Sequence, residues 1–247
     1  MIQLTLIQID NYGPWTTNPL PKKESYLQML QSEMYSELQK KFSAKKALLF
    51  PMRYDNMMAV TNGMKEKQHK EIMDAVNKKF PVSISMSIAV GDTPYEAQAN
   101  ATKQLSLAGG AKHAQRKAVL KAGGTSDGLV QIAHIDIDNI TRHTDDNVYD
   151  SYKRVLEIEN ALITNLTPTG ALVFFMGGDN FIAPCNNTPR EDFLQAFEKI
   201  KIETGISLKA GIGFGKSADE AVHLAGMGLK EIRLGAREKI LVKRNDA

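Results

Sequence analysis

The chain contains one unit written twice. Met176-Gly177-Gly178-Asp179-Asn180-Phe181-Ile182-Ala183 and, 124 positions upstream, Met52-Arg53-Tyr54-Asp55-Asn56-Met57-Met58-Ala59 keep Met, Asp-Asn, two apolar residues and Ala in one register. At the same offset residues 83–89 fall on 207–213, and Thr93-Pro94-Tyr95-Glu96-Ala97 falls on Ser217-Ala218-Asp219-Glu220-Ala221. Gln8-Ile9-Asp10-Asn11 falls on Asp136-Ile137-Asp138-Asn139 at an offset of 128. A repeat of this length means two copies of one fold, so whatever explains one half must explain the other. With 247 residues, 43% of them hydrophobic, each copy can bury its own core.

Local patterns fix what that fold is. Residues 2–9 alternate as a strand and run into a loop stiffened by Pro14, Pro19 and Pro21. Leu27, Leu30, Met34, Leu38 and Phe42 recur at helical spacing, which predicts a helix over 24–42. Strands over 47–51 and 57–62 flank Asp55; a helix over 69–80 and a strand over 82–90 follow. Thr93-Pro94-Tyr95-Glu96 opens a further helix with a cap, a first-turn Pro and a capping-box Glu. The second copy repeats the order, with a helix over 148–164, a hairpin over 171–184, a helix over 190–203 and a strand over 206–214. The expectation is an α+β chain of tandem ferredoxin-like βαββαβ domains, each an antiparallel sheet with its helices on one face. They span 1–108 and 129–247, and 109–128 is a linker holding a short Ala- and Lys-rich helix.

Charge and cysteine content exclude several functions. Net charge is +3 from 31 basic and 28 acidic residues, without a long run of one sign, so no nucleic-acid partner is expected. Residues 1–9 are too short and too polar for a signal segment and no long apolar run follows, so the expected setting is cytoplasmic, with no membrane partner. The single cysteine, Cys185, allows neither an internal disulfide nor a thiolate zinc site, and is read as packing after its strand. Neither zinc nor an organic cofactor is expected.

On the first strand of the second half, Ile132, His134, Asp136 and Asp138 alternate onto one face. Strands one and three are central neighbours in a βαββαβ unit, so Asp136 meets Asp179 of the hairpin at a shared cation. Hard oxygen ligands suit Mg²⁺ held jointly with a nucleotide's phosphates. An Asp-Asn pair is also an ordinary turn, and His134 is equally readable as a hydrogen-bonded sheet histidine. Gly211, Gly213 and Gly215 leave room for a close neighbour, whether a ligand or a helix, and Lys209 reaches either phosphate or solvent. His69, His113, His143 and His223 are read as facing solvent.

His134-Ile-Asp136-Ile-Asp138 followed by Phe175-Met176-Gly177-Gly178-Asp179-Asn180-Phe181 resembles the palm of diguanylate and class III nucleotidyl cyclases, where an Asp on strand one and an acid in a Gly-Gly hairpin hold two Mg²⁺ ions. Asn180 stands where those cyclases carry Glu. Gln8 to Thr16, Asp55-Asn56, Thr61-Asn62-Gly63, Thr93 to Gln98, Gln131 to Ile137, Gly177 to Phe181 and Leu208 to Gly213 together resemble archaeal GTP cyclohydrolase III, also called IIa, across nearly the whole chain. That resemblance implies palm-type domains and hydrolytic opening of the guanine imidazole ring of GTP to the formylaminopyrimidine ribosyl monophosphate. Two phosphates are released, and the product feeds flavin and deazaflavin synthesis. It also implies two or more Mg²⁺, stimulation by K⁺, and a homo-oligomer.

On this reading Asp136, Asp179 and His134 are catalytic candidates, His134 as the group that protonates the departing nitrogen. Asp10, Asp55, Asp136, Asp138 and Asp179 are metal candidates. Asn11, Tyr12, Gly13, Trp15, Thr16, Arg53, Asn56, Asn139 and Asn180 are candidates for the substrate, with phosphates on the first half and Trp15 either over the guanine or anchoring its loop. A Mg²⁺-dependent cyclase or nucleoside triphosphatase, and a non-catalytic nucleotide sensor, are the alternatives.

Overall fold

The computed structural model describes residues 1–113, 115–138 and 147–245. Two compact units are present: Met1–Asp92 with Glu96–Gly128, and Thr93–Tyr95 with Leu129–Ala247. The first holds β1 (Ile2–Ile9), α1 (Tyr12–Thr17), α2 (Glu24–Ser43), β2 (Leu48–Pro51), β3 (Asn56–Val60), α3 (Glu66–Lys79), β4 (Ile84–Gly91), most of α4 (Pro94–Leu107) and β5 (Leu120–Ala122). The second holds β6 (Val130–Ile137), α5 (Val148–Leu166), β7 (Phe174–Gly177), β8 (Asn180–Pro184), α6 (Arg190–Thr204), β9 (Leu208–Gly215), α7 (Ala218–Arg233) and β10 (Ile240–Arg244).

The sheets run β2-β3-β1-β4-β5 and β10-β9-β6-β8-β7. Their registers copy one another. Gln8 faces Asn56 and Ser85 in the first, and Asp136 faces Asn180 and Lys209 in the second. Even the bonds past the strand ends repeat: Asp10 N–H donates to Ser83 O at 2.8 Å, and Asp138 N–H to Ser207 O at 2.9 Å.

Each sheet has five strands and is mixed, because β5 and β10 join β4 and β9 in parallel. This corrects the purely antiparallel four-stranded expectation. The described residues of 109–128 hold no helix; an edge strand of the first unit stands there instead. Residues 12–17, expected as a stiff loop, form a short helix entered through Asn11 at φ 51°.

The apolar stripes go where their spacing sends them. Leu30, Met34, Leu38 and Phe42 of α2 and Ile72, Met73 and Val76 of α3 pack on Ile7, Ile9, Met57, Ile84 and Met86. Val155, Ile158, Leu162 and Leu166 of α5 and Phe193, Ala196, Phe197 and Ile200 of α6 pack on Ala133, Ile135, Ile137, Ala210 and Ile212. Burying each such side chain is worth about 1.5–3 kcal/mol, so these faces set the register of every strand.

The opposite face of the second sheet is covered by α7, which departs from helices on one face only. A Cβ on Gly211 would lie 1.9 Å from the Ala225 carbonyl oxygen, and one on Gly213 2.1 Å from that of Ala221. The room left by these glycines is thus taken by the helix. Ser217 Oγ accepts from Glu220 N–H at 3.2 Å and starts α7, whose last turn carries Arg233 back over the C-terminal end of β6.

His69 is fully buried, contrary to the solvent-facing expectation. Its Nδ1 lies 3.0 Å from Lys65 O, which can only accept, so Nδ1 carries the proton and Nε2 accepts from Thr5 Oγ1 at 2.8 Å. Thr5 in turn meets Thr61 at 2.9 Å, and Gln3 Nε2 donates to Thr61 at 3.1 Å. At the matching places the second unit has Ala133, Cys185 and Phe193, all buried. His113 and His223 are exposed, and His143 lies outside the described residues. Cys185 packs after β8, and burial pushes its thiol far up.

Candidate functional site

The C-terminal end of β6 delivers Asp136 to the sheet's α7 face, and the Gly177-Gly178 turn, with both residues at positive φ, lifts Asp179 beside it. Asp136 is 2% exposed. Its Oδ2 accepts from Arg233 Nε at 3.1 Å and lies 3.2 Å from Lys209 Nζ. Its Oδ1 is 3.0 Å from Arg233 Nη2 but makes no hydrogen bond, so one buried carboxylate oxygen lacks a properly directed partner. Lys209 Nζ also donates to Asp138 at 2.8 Å, which places this ammonium between the two strand-end carboxylates.

Burial, and then the neighbouring charge of Asp136, push the Asp179 carboxyl above the usual carboxylate range. Two acids crowded this way attract a cation. Burial works against the Lys209 ammonium, but its bonds to Asp138 and Asp136 outweigh that and raise its pKa; the bond to Asp136 likewise raises Arg233.

Asn180 joins the parts. Its Nδ2 donates to Asp179 Oδ1 at 2.8 Å, and its Oδ1 accepts from His134 Nε2 at 3.0 Å and Arg233 Nη2 at 3.4 Å. Because Asn180 Oδ1 can only accept, His134 carries its proton on Nε2. Burial lowers the ring's pKa, which keeps it neutral near pH 7. The proton that sequence reasoning assigned to the departing nitrogen is thus committed to orienting Asn180.

The first unit handles the equivalent positions differently. Gln8 stands in place of Asp136 and donates to Asn56 Oδ1. Asp10, 5% exposed, is saturated: Oδ1 accepts from Ser85 Oγ at 2.6 Å and Arg116 Nε at 3.1 Å, and Oδ2 from Ser83 Oγ at 2.8 Å and Ala118 N–H at 2.9 Å. No lone pair is left facing outward for a metal. Asp55 is paired with Arg53 at 3.1 Å on the surface. Trp15 is stacked on Tyr12 with ring centres 5.9 Å apart, lies 6.2 Å from Tyr26, and carries the Lys22 ammonium 4.3 Å above its ring. Asn11 N–H donates to Ala111 O, Thr16 Oγ1 to Gly13 O, and Tyr12 Oη accepts from Gln31. These contacts anchor the α1 segment within its own unit.

The structure therefore brings together Asp136, Asp138, Asp179, Asn180 and His134 in the second unit, and gathers Asp10, Asp55, Asn56 and Arg53 around the end of β1 in the first. Asn139 lies outside the described residues. Sequence reasoning missed Arg233 and Arg116. Arg233 has no counterpart in the repeat, since Gly109 stands at its place, and 97 positions separate it from Asp136. The Lys209 alternative of reaching solvent gives way to an ion pair.

A Mg²⁺ ion fits this site in chemistry: two adjacent carboxylates, hard oxygens throughout, and one buried oxygen without a hydrogen bond. Among the described residues no three His, Cys, Asp or Glu side chains converge as a metal cage. No described helix is long and apolar enough to cross a membrane.

A family model described as GTP cyclohydrolase III matches residues 1–246. GTP cyclohydrolase III of Methanothermobacter thermautotrophicus is 46% identical over 238 residues, covering 95% of this chain and 96% of the relative. That of Methanocaldococcus jannaschii is 49% identical over 237 residues, covering 94% and 88%. Among solved structures, the GGDEF domain of DgcB from Caulobacter crescentus in complex with c-di-GMP matches 46% of this chain and 77% of its own at 16% identity and a TM-score of 0.39.

Proposed function

The chain belongs to the GTP cyclohydrolase III family, and from that premise we propose that it hydrolyses GTP, opening the guanine imidazole ring while keeping the formyl group. One water adds at C8 and breaks the ring C–N bond. Two more cleave phosphoanhydride bonds, so the products are the formylaminopyrimidine ribosyl monophosphate and two phosphates, a supply for flavin and deazaflavin synthesis. The observation that carries the reading is the Asp136–Asp179 pair, with a buried carboxylate oxygen that makes no hydrogen bond and two cations alongside.

Asp136 and Asp179, with Asp138 at the rim, are the residues that would hold Mg²⁺. Bound there, the ion supplies charge neutralisation of the triphosphate and a lowered pKa for the attacking water. Lys209 and Arg233, now on Asp136 and Asp138, are placed to take phosphate oxygens, Arg233 through its planar fork. His134 is a positioning residue: neutral and bonded through Nε2, it fixes the Asn180 amide and through it the orientation of Asp179. The first-unit candidates Asn11, Tyr12, Gly13, Trp15, Thr16, Arg53 and Asn56, together with Asn139 and Asn180, remain the proposed substrate contacts. Asp55 is the weakest of the proposed metal ligands and Asp10 is reassigned to structure. Family membership supports stimulation by K⁺ and a homo-oligomeric assembly.

Proton NMR of GTP with the protein, Mg²⁺ and K⁺, alongside a phosphate assay, tests this reading. Loss of the guanine C8 proton, appearance of a formyl proton and two phosphates per GTP are expected. Pyrophosphate with an intact C8 proton would instead make the palm a cyclase.

A further inference from the structure

The other end of the second sheet holds a feature that the chemistry at Asp136 does not use. A cleft of about 330 Å³ is bounded by Gln131, Thr188, Arg190, Phe214, Val242 and Arg244, with an apolar floor. Asp136 lies five positions along β6 from Gln131, roughly 17 Å at strand rise, so this is not an extension of the carboxylate site.

The duplicated first unit closes the corresponding place with its own chain. There Gln3 matches Gln131, and the segment following β5 closes over the sheet end. Ser126 N–H donates to Gln3 Oε1 at 2.8 Å, Gly63 N–H donates to Ser126 O at 2.9 Å, and the Asp127 carboxylate meets Lys65 Nζ at 3.3 Å. The first unit thus fills this end with its own chain, one N–H and one carboxylate included.

In the second unit the same frame is left open among the described residues. Gln131 is 6% exposed; its Nε2 donates to Thr188 O at 2.8 Å, while among the described residues no donor reaches its Oε1, the atom matching the acceptor used in the first unit. Arg190 stands where the first unit has Glu66, and its Nε donates to Ile240 O at 3.3 Å, leaving its outer nitrogens for another partner. The Arg244 guanidinium carbon sits over the Phe214 ring, 4.2 Å from its centre. Neither guanidinium is ion-paired among the described residues. After Arg244 the chain turns aside, where Asn245 donates to Glu220.

We propose that this cleft is a second ligand site, for a small planar molecule carrying one phosphate or carboxylate. Arg190 and Arg244 take the anion, the exposed face of the Arg244 guanidinium and the Phe214–Val242 floor take the ring, and Gln131 Oε1 accepts an N–H where the ligand has one. The volume is at the lower end for small-molecule pockets, which limits the occupant to about a mononucleotide or smaller.

Saturation-transfer NMR on the full Mg²⁺-loaded chain, with phenylphosphonate as the observed probe and inorganic phosphate as its competitor, tests the site. Phenylphosphonate should bind at least tenfold more tightly than phosphate. Arg190→Gln, Arg244→Gln and Val242→Asp should each weaken it about tenfold or more with GTP turnover retained, and Asp136→Asn should leave it unchanged. Val242→Asp sits on a partly exposed strand and keeps the test sound if an arginine variant folds poorly. Absence of binding at tens of millimolar would overturn the proposal. So would equal affinity for inorganic phosphate, indifference to the three cleft variants, or loss of binding in Asp136→Asn.

Discussion

Two strand ends with the same backbone have opposite electrostatic designs. At the end of β1, Gln8 and Asp10 are closed off: one amide is spent on Asn56, and one carboxylate is saturated by two serines, a backbone N–H and the buried Arg116. At the end of β6, Asp136 and Asp138 share Lys209, Arg233 reaches in from a partly exposed position, and Asp179 crowds the pair. Register and hairpin are conserved between the copies, whereas Gln8 against Asp136 and Ser85 against Lys209 are not. Duplication therefore copies the frame, and these two side-chain differences on it are what, on the proposed reading, favour the second copy for a metal.

The comparison breaks most visibly if activity fails to follow Asp136. Asp136→Asn should lower phosphate release and ring opening by 10³-fold or more while far-UV circular dichroism is unchanged, because it removes charge that the cation needs. Asp10→Asn should do the reverse. It leaves Arg116 buried without its counter-charge and should cost about 3–5 kcal/mol in urea unfolding, with turnover of the remaining folded protein near that of the parent. A second-unit variant that only destabilised, or a first-unit variant that only stopped chemistry, would undo the assignment.

Finer differences sharpen it. Lys209→Met should raise KM for GTP about tenfold if Nζ moves to phosphate. His69→Phe alone should cost about 1–3 kcal/mol, because it removes the buried acceptor of the Thr5 hydroxyl and leaves that hydroxyl only Thr61. Thr5→Ala, Thr61→Cys and His69→Phe together install the second unit's own Ala133, Cys185 and Phe193 and should recover most of that loss, as thermal melts can read. Burial depresses both His69 and His134, so the folded chain binds fewer protons than the unfolded one just below the ordinary histidine pKa of about 6.5. Their contribution is complete above that pH and is lost as pH falls through it. The slope of stability between pH 7.5 and 5.5 should therefore flatten in His69→Phe. Smallest of all, Asp55→Ala removes an exposed pair with Arg53 and should shift stability by less than about 1 kcal/mol.

Much of this was legible in the residues. The βαββαβ order predicts that Asp136 and Asp179 lie side by side, because its first and third strands are central neighbours. The buried stripe of α2 follows from spacing, and so does His69, which lies on one helical face with Ile72, Met73 and Val76; reading it as exposed ignored that stripe. Leu120-Lys121-Ala122 is too short to show a period. The Ile240-Leu241-Val242 run did carry a strand signal. Arg116 and Arg233 left none: each reaches its carboxylate from about a hundred positions away, and neither has an arginine at the matching place of the other copy, where Ile240 and Gly109 stand.

Manganese binding, followed by electron paramagnetic resonance in the presence of GTP for the parent, Asp136→Asn and Asp10→Asn proteins side by side, tests the asymmetry most directly. Tight Mn²⁺ should persist in the parent and in Asp10→Asn and be lost in Asp136→Asn. Tight Mn²⁺ retained without Asp136, or lost with Asp10, would place the metal centre in the first unit and contradict the account.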